Sequence, residues 1–378
     1  MRASHRACVI IPHVTAIEIS ILIVAVGSIA GLTWLFRAWS ASQVQQSERD
    51  NAAPRAATAP SKRGAPNVSF TNEALEAALA DVYKLAFGVA RIDYQIMDEH
   101  ANVLTRIAKA IEESVQQRDY FPRRPMLLPK LMQALNDPEV SRETLVKLIL
   151  EDPAIAGGVL QQANSAFYRV SPARVDSIDR AVWLLGTDGL RRLMASAILQ
   201  PVFRLPKGYF DAFAPLTWEQ AQRSAAAAEA YAKHVVKCDA FVAQLLAGLE
   251  PLARIVIFRI GMDQYRETPN VLPRPEVFIR AMQQHATQVA LKIANAWEMS
   301  DLSIAALDEQ AQQHSPTQMH ELGRAVYFAR LTSSLAVLGT RRPETPEEQY
   351  LGLLAAQGID KAKARLLWVA AVSASEIS

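Results

Sequence analysis

The residue types that hold metals and move protons are scattered along this chain of 378 residues. Its seven histidines are His5, His13, His100, His234, His285, His314 and His320, and none stands in an H-x-x-x-H or His-Asp pair. A hydrolytic metal needs imidazole and carboxylate ligands brought to one point, and no such set is readable here. The two cysteines, Cys8 and Cys238, are too few for a disulfide framework or a zinc site. The carboxylate pairs Glu112-Glu113 and Glu347-Glu348 lie in polar runs and read as solvated faces. Neither a G-x-x-x-x-G-K-[ST] phosphate loop nor a G-x-S-x-G nucleophile turn occurs. The expectation is therefore no catalytic residue, no cofactor and no metal.

The elements that would position any site are helical, since no alternating pattern lasts long enough to support a sheet. The stretch Glu151–Gly186 is the most heavily punctuated, and the chain reads as organised around it. Asp152 before Pro153 predicts an N-cap with proline at the first helical position, where its missing N–H costs nothing. Ile155, Val159 and Leu160 then recur at helical spacing. Asn164-Ser165 closes that helix. Asn164 invites a ligand or catalytic role, but an amide at a helix end more simply bonds nearby backbone. Asp176 or Ser177 caps a second short helix, and Gly186 ends it where a left-handed residue is needed. Thr187-Asp188-Gly189 starts the next, with Leu190, Leu193, Met194, Ala197 and Ile198 inward and Arg191-Arg192 toward water.

Upstream, Ser141 with Glu143 in the first turn predicts a cap for a helix carrying Leu145, Leu148 and Ile149. Two apolar stripes, Leu75, Leu79, Val82, Ala86, Val89 and Leu104, Ile107, Ile111, Val115, predict two helices, or one kinked, that pack on the following domain, with a sensing helical hairpin as the alternative. Downstream, residues 218–233 form an alanine-rich helix suited to close packing, and 239–252 form another. His314 to Leu338 reads as helical, and the final helix points Lys361, Lys363 and Arg365 outward.

The amino terminus has a different character. Val14 to Phe36 runs 23 residues with one charge, Glu18, long enough to cross a bilayer as an uncleaved anchor, with a signal peptide cleaved within the following Arg37-Ala38-Trp39-Ser40-Ala41 as the alternative. Arg2 and Arg6 precede it; Arg37, Arg49, Arg55, Lys62 and Arg63 follow, a bias that favours a cytoplasmic carboxyl side. Trp34 and Trp39 suit the interface. Gly27 and Gly31 form a G-x-x-x-G that could pair two chains, although glycine is also simply common in membrane helices. The polar, Ala-, Ser- and Pro-rich run after it reads as a flexible tether. The net charge of +2 gives no broad case for nucleic-acid binding.

Several of these stretches, taken in order, carry a resemblance. Asp152-Pro153, NSAFY from Asn164, SIDRAVWLLG from Ser177, LRRLMASAILQPVF from Leu190 and, upstream, FPRRPMLLPKLMQAL from Phe121 resemble the bacterial HDOD family, the HD-related output domains. That resemblance implies an all-α, HD-domain-like helical bundle that signals without catalysis. It marks Pro122, Pro125, Asp152, Pro153, Asn164, Ser165, Gly186, Trp218 and His285 as structural motif positions. It also aligns the His-Asp pair of HD phosphohydrolases with Ala247 and Gly248, an upstream histidine with Gln220, and a later pair of histidines with the run Leu307–Gln310. Neither Ala247 nor Gly248 can ligate a metal through its side chain, and none of these positions keeps the enzyme's histidine, while a divergent phosphohydrolase with ligands elsewhere and a nucleotide sensor remain as rivals. His285 matches a family histidine that precedes a helix ending in tryptophan, and a role in bonding its neighbours is expected of it.

The organisation expected is an amino-terminal tail (1–13), a transmembrane helix (14–36), a linker (37–70), a juxtamembrane helical segment (71–118), the HDOD-like domain (119–311) and a helical extension (312–378). The expected location is the bacterial inner membrane with the carboxyl part cytoplasmic, and the expected partners are signalling proteins or a second copy of the chain.

Overall fold

The computed structural model describes residues 72–374, apart from 118, 119, 123, 126, 138, 165–173, 200–204, 206 and 207. The expected membrane helix with Gly27 and Gly31, the linker up to residue 70, and Ser165 lie outside the described residues. Residues 68–378 form one compact unit. Its described residues are all-α.

Thirteen α-helices are described: α1 (Glu73–Phe87), α2 (Asp98–Gln117), α3 (Leu128–Asn136), α4 (Arg142–Leu150), α5 (Pro153–Ala163), α6 (Ile178–Leu199), α7 (Phe213–Tyr231), α8 (Ala240–Arg266), α9 (Pro275–Ala296), α10 (Asp301–Ala311), α11 (Glu321–Arg341), α12 (Glu347–Ala355) and α13 (Lys361–Ser373). A π-helical turn, Ala232–Val236, extends α7 and stops at Lys237 in the left-handed region.

The hub is α8, not the punctuated stretch 151–186. It packs against α2, α3, α6, α7, α9, α10 and α11. It is apolar and long enough to cross a membrane, yet its apolar window is wholly buried in the domain, as a core helix requires. Its carboxyl half corrects the sequence reading, which ended this helix at Leu252. The helix runs through Pro251 to Arg266. Proline there lacks the N–H that would bond the preceding turn. Burial of every residue from Phe241 to Phe258 outweighs that loss.

The stretch 151–186 forms a flank instead, with α5 seated on α6 and α4. The residue at its end follows the chemistry of its type. Gly186 has φ 63° and ψ −178°, and it breaks α6 into two segments. That backbone region is essentially restricted to glycine.

The segments on either side meet. α1 packs on α11 and α7, and Asp81 accepts from Arg342 Nη1 at 3.0 Å. Leu75, Leu79, Val82 and Ala86 are buried as their spacing predicts, and so are Ile107 and Ile111 on α2. A further boundary and one face differ from the reading. The helix expected from His314 begins only at Glu321, because Ser315 and Gln318 form a hydrogen-bonded turn first. Arg191 and Arg192 are half-buried rather than free in water: Arg191 donates to the Leu135 carbonyl, and Arg192 pairs with Glu229 at 3.1 Å.

Candidate functional site

Of the positions that the resemblance aligns with metal ligands, Gln220, Ala247 and Gln310 come together, and they meet at a charged cluster. Glu250 and Arg254 lie one turn apart on α8, Gln220 on α7, Gln310 near the end of α10, and Arg330 and Ser334 one turn apart on α11. Arg330 pairs through Nε with Glu250 Oε2. Arg254 Nη2 stands 3.6 Å from the other carboxylate oxygen of Glu250. The side chains of Glu250, Arg254 and Arg330 are 6%, 2% and 10% exposed.

Amides finish the cluster. Arg254 Nη1 donates to Gln220 Oε1 at 2.7 Å, and Gln220 Nε2 donates to Ser334 Oγ at 2.9 Å. Arg330 Nη1 donates to Gln310 Oε1 at 3.1 Å, and Gln310 Nε2 donates to the Gly323 carbonyl at 3.0 Å. The Arg254 guanidinium also lies 5.6 Å from the centre of the Tyr83 ring. Burial pushes the Tyr83 hydroxyl up to about 12, so it stays protonated.

Of the two adjacent positions aligned with the enzyme's His-Asp pair, Ala247 faces this cluster. With Leu307, Gln310 and Arg330 it borders a void of about 10 Å³, the lower limit for one water. Gly248 faces α6. A Cβ on it would come within 2.2 Å of Leu199 Cδ1, so glycine here admits close helix packing. In the run Leu307–Gln310, Glu309 turns aside to accept from the backbone N–H and Nδ1 of His320, at 3.0 and 2.8 Å.

This set does not fit a hydrolytic divalent metal. It offers one carboxylate already shared by two guanidiniums, and the metal would face both cations at close range. Among the described residues no group of three or more His, Cys, Asp or Glu is placed to hold one ion.

The motif positions of the flank serve packing. Asp152 Oδ1 accepts from the Ile155 N–H at 3.2 Å, capping α5 at Pro153. Ser177, not Asp176, caps α6 through the Arg180 N–H at 3.3 Å. Asn164 reaches further than its own helix. Its Nδ2 donates to the carbonyls of Leu160 and Val175, at 2.8 and 2.7 Å, and its Oδ1 accepts from the Val175 N–H at 2.8 Å. The carbonyl of Pro122 accepts from Trp297 Nε1 at 2.9 Å, and that of Pro125 from the Leu128 N–H at 3.0 Å. Trp218 sits half-buried on α7.

His285 departs from its expected role. It lies in the middle of α9, the helix that leads into Trp297, rather than before it. It makes no hydrogen bond to a described residue, and burial, then nearby Lys292, hold it below the usual imidazole range.

The sequence reading missed Arg254 and Arg330 altogether. The available signal was charge in an apolar helix: both sit among residues whose spacing buries them.

Among curated proteins, an uncharacterized protein from Treponema pallidum (strain Nichols) is 24% identical over 278 residues, 71% of this chain and 52% of that protein. The chain thus spans about half the length of that relative. Among solved structures, an HDOD domain protein of unknown function from Geobacter sulfurreducens aligns with TM-score 0.48 and 18% identity, covering 70% of this chain and 93% of its own. A Shewanella amazonensis protein provisionally named a phosphohydrolase aligns with TM-score 0.48 and 17% identity, covering 71% of this chain and 98% of its own. Residues 121–315, more than half of the 378, match the HDOD domain, and the chain belongs to the HDOD family.

Proposed function

We propose that this chain is a membrane-tethered HDOD regulatory protein that acts by protein contact and not by catalysis. One observation carries the non-catalytic part: an Arg254–Glu250–Arg330 cluster fills the point where Gln220, Ala247 and Gln310 replace the enzyme's ligands. The contact part is supported by Leu150 and Trp183, 57% and 66% exposed on the adjoining helices α4 and α6. Tryptophan is among the residue types enriched at interface hot spots. The tether reading rests on the apolar run Val14–Phe36.

The test uses the purified full-length chain with manganese or magnesium and with phosphomonoester and phosphodiester reporters. No turnover above buffer is expected, and no stoichiometric transition metal by elemental analysis. Hydrolysis that Glu250→Gln abolishes would establish the rival, a divergent metal-dependent phosphohydrolase.

A further inference from the structure

A cavity of about 360 Å³ opens between α1 and α9, with the Glu250–Arg330 pair on its floor. Its size lies in the lower part of the range for small-molecule sites, about 300–1,000 Å³. α1 contributes Leu75, Glu76 and Tyr83, and α9 contributes Arg280, Gln284 and Thr287.

The floor is chemically spent, because Glu250, Gln310 and Arg330 bond one another. The walls are not. Arg280 is exposed and makes no ion pair with a described residue; its guanidinium lies 6.0 Å from the centre of the Tyr94 ring. Tyr83 lines the inner wall, and its hydroxyl bonds no described residue. It remains a proton donor available to whatever fills the space. Gln284 and Thr287, three residues apart on one helix face, add an amide and a hydroxyl with no hydrogen-bond partner among the described residues. Leu75, Leu79 and Ala286 supply apolar wall.

These groups define a ligand. An arginine beside a tyrosine ring suits a planar π-system and an anionic group together. The amide, hydroxyl and phenol suit the mixed donor and acceptor edge of a heterocycle. Glu76, exposed and without an ion pair among the described residues, suits hydroxyl groups and repels additional negative charge. Among the described lining residues, one cation and one carboxylate without an ion pair therefore favour a single phosphate over a polyphosphate.

We infer that this cavity binds a nucleoside monophosphate, with its base enclosed between α1 and α9 and its phosphate at Arg280. A ligand so placed bridges the helix that follows the amino-terminal segment to the core of the domain. The inference is independent of whether the chain is a catalyst.

The experiment is calorimetric titration of the full-length chain with AMP and with GMP, with adenosine, guanosine and inorganic phosphate as competitors. One nucleotide should bind per chain, and Arg280→Glu should weaken it at least tenfold without lowering the melting temperature. Tyr83→Phe should weaken it severalfold. Neither nucleotide binding, equal binding by Arg280→Glu, or displacement by phosphate as effective as by nucleotide would each overturn the site. Chromatography of the ligand after titration separates the two proposals: recovery of nucleoside would overturn the non-catalytic reading while leaving the site in place.

Discussion

Arg330 holds Glu250 by an ion pair between α11 and α8, and the same carboxylate faces Arg254 one turn along α8. Two buried cations therefore depend on one anion. Removing it by Glu250→Ala leaves both uncompensated and should cost about 3–5 kcal/mol. Replacing all three residues by Leu or Met should recover most of that loss, since well-packed apolar residues match or exceed a buried ion triad. Urea unfolding of the single and triple variants decides this. A Glu250→Ala variant as stable as the wild type would show that the pair contributes nothing to folding.

Asn164 should be a folding residue. Its side chain makes three hydrogen bonds that tie the end of α5 to Val175. Asn164→Ala should cost about 2–3 kcal/mol, because each lost bond is worth about 0.5–1.5 kcal/mol. Asn164→Asp should cost nearly as much, because a carboxylate accepts from Val175 but cannot donate to the two carbonyls. Asp152→Ala should cost about 0.5–2 kcal/mol as a lost cap. Thermal melts of the three variants provide the ranking. A variant that kept its melting temperature but lost a binding function would reassign that residue.

Gly186→Ala should destabilise by about 1–3 kcal/mol through backbone strain alone. A Cβ at this position meets nothing within 4 Å among the described residues, so clashes with them cannot account for a loss. Gly157→Ala, at normal helical φ and equally unobstructed, is the control and should be neutral or slightly stabilising.

His285 should make the fold sensitive to mild acid. Its imidazole is held below the ordinary value by burial first and Lys292 second. The unfolded chain takes up this proton near pH 6.5, before the folded chain does. Below that pH the unfolded state binds more protons, so stability falls as pH falls from about 6.5 toward the folded pKa. His285→Gln should lose less stability than wild type between pH 7.5 and 5.5, measured by urea midpoint. Identical losses would assign the acid sensitivity elsewhere.

Deleting residues 1–36 should leave partner binding in solution intact but abolish the cellular phenotype, and a foreign single-span anchor should restore it. A tether of 27 residues, Ser40 to Pro66, would reach about 25–31 Å root-mean-square as a flexible chain. It would hold the domain near membrane-bound partners and raise their effective concentration. Full complementation by the deleted chain would remove the membrane from the mechanism. Failure of a correctly located foreign anchor would direct attention to Gly27 and Gly31, tested by replacing both with isoleucine.

The sequence by itself determined the helical class and the local signals that begin and end helices. Ser141 and Asp152 each cap the helix that follows, Pro153 opens α5, and Gly186 takes the backbone region glycine alone tolerates. Each of these acts within about four residues, so its physics is complete in a short stretch of chain. The missing His-Asp pair was legible for the same reason. The charged cluster was decided only by the tertiary structure. Glu250 meets Arg330 across 80 positions and Gln220 meets Ser334 across 114, from three different helices whose mutual register no local spacing encodes. Tertiary burial also carried α8 through Pro251, drew Arg191 and Arg192 from water, and placed His285 mid-helix. In each case long-range packing outweighed the preference of the local stretch, because the surroundings that settle the balance come from distant parts of the chain.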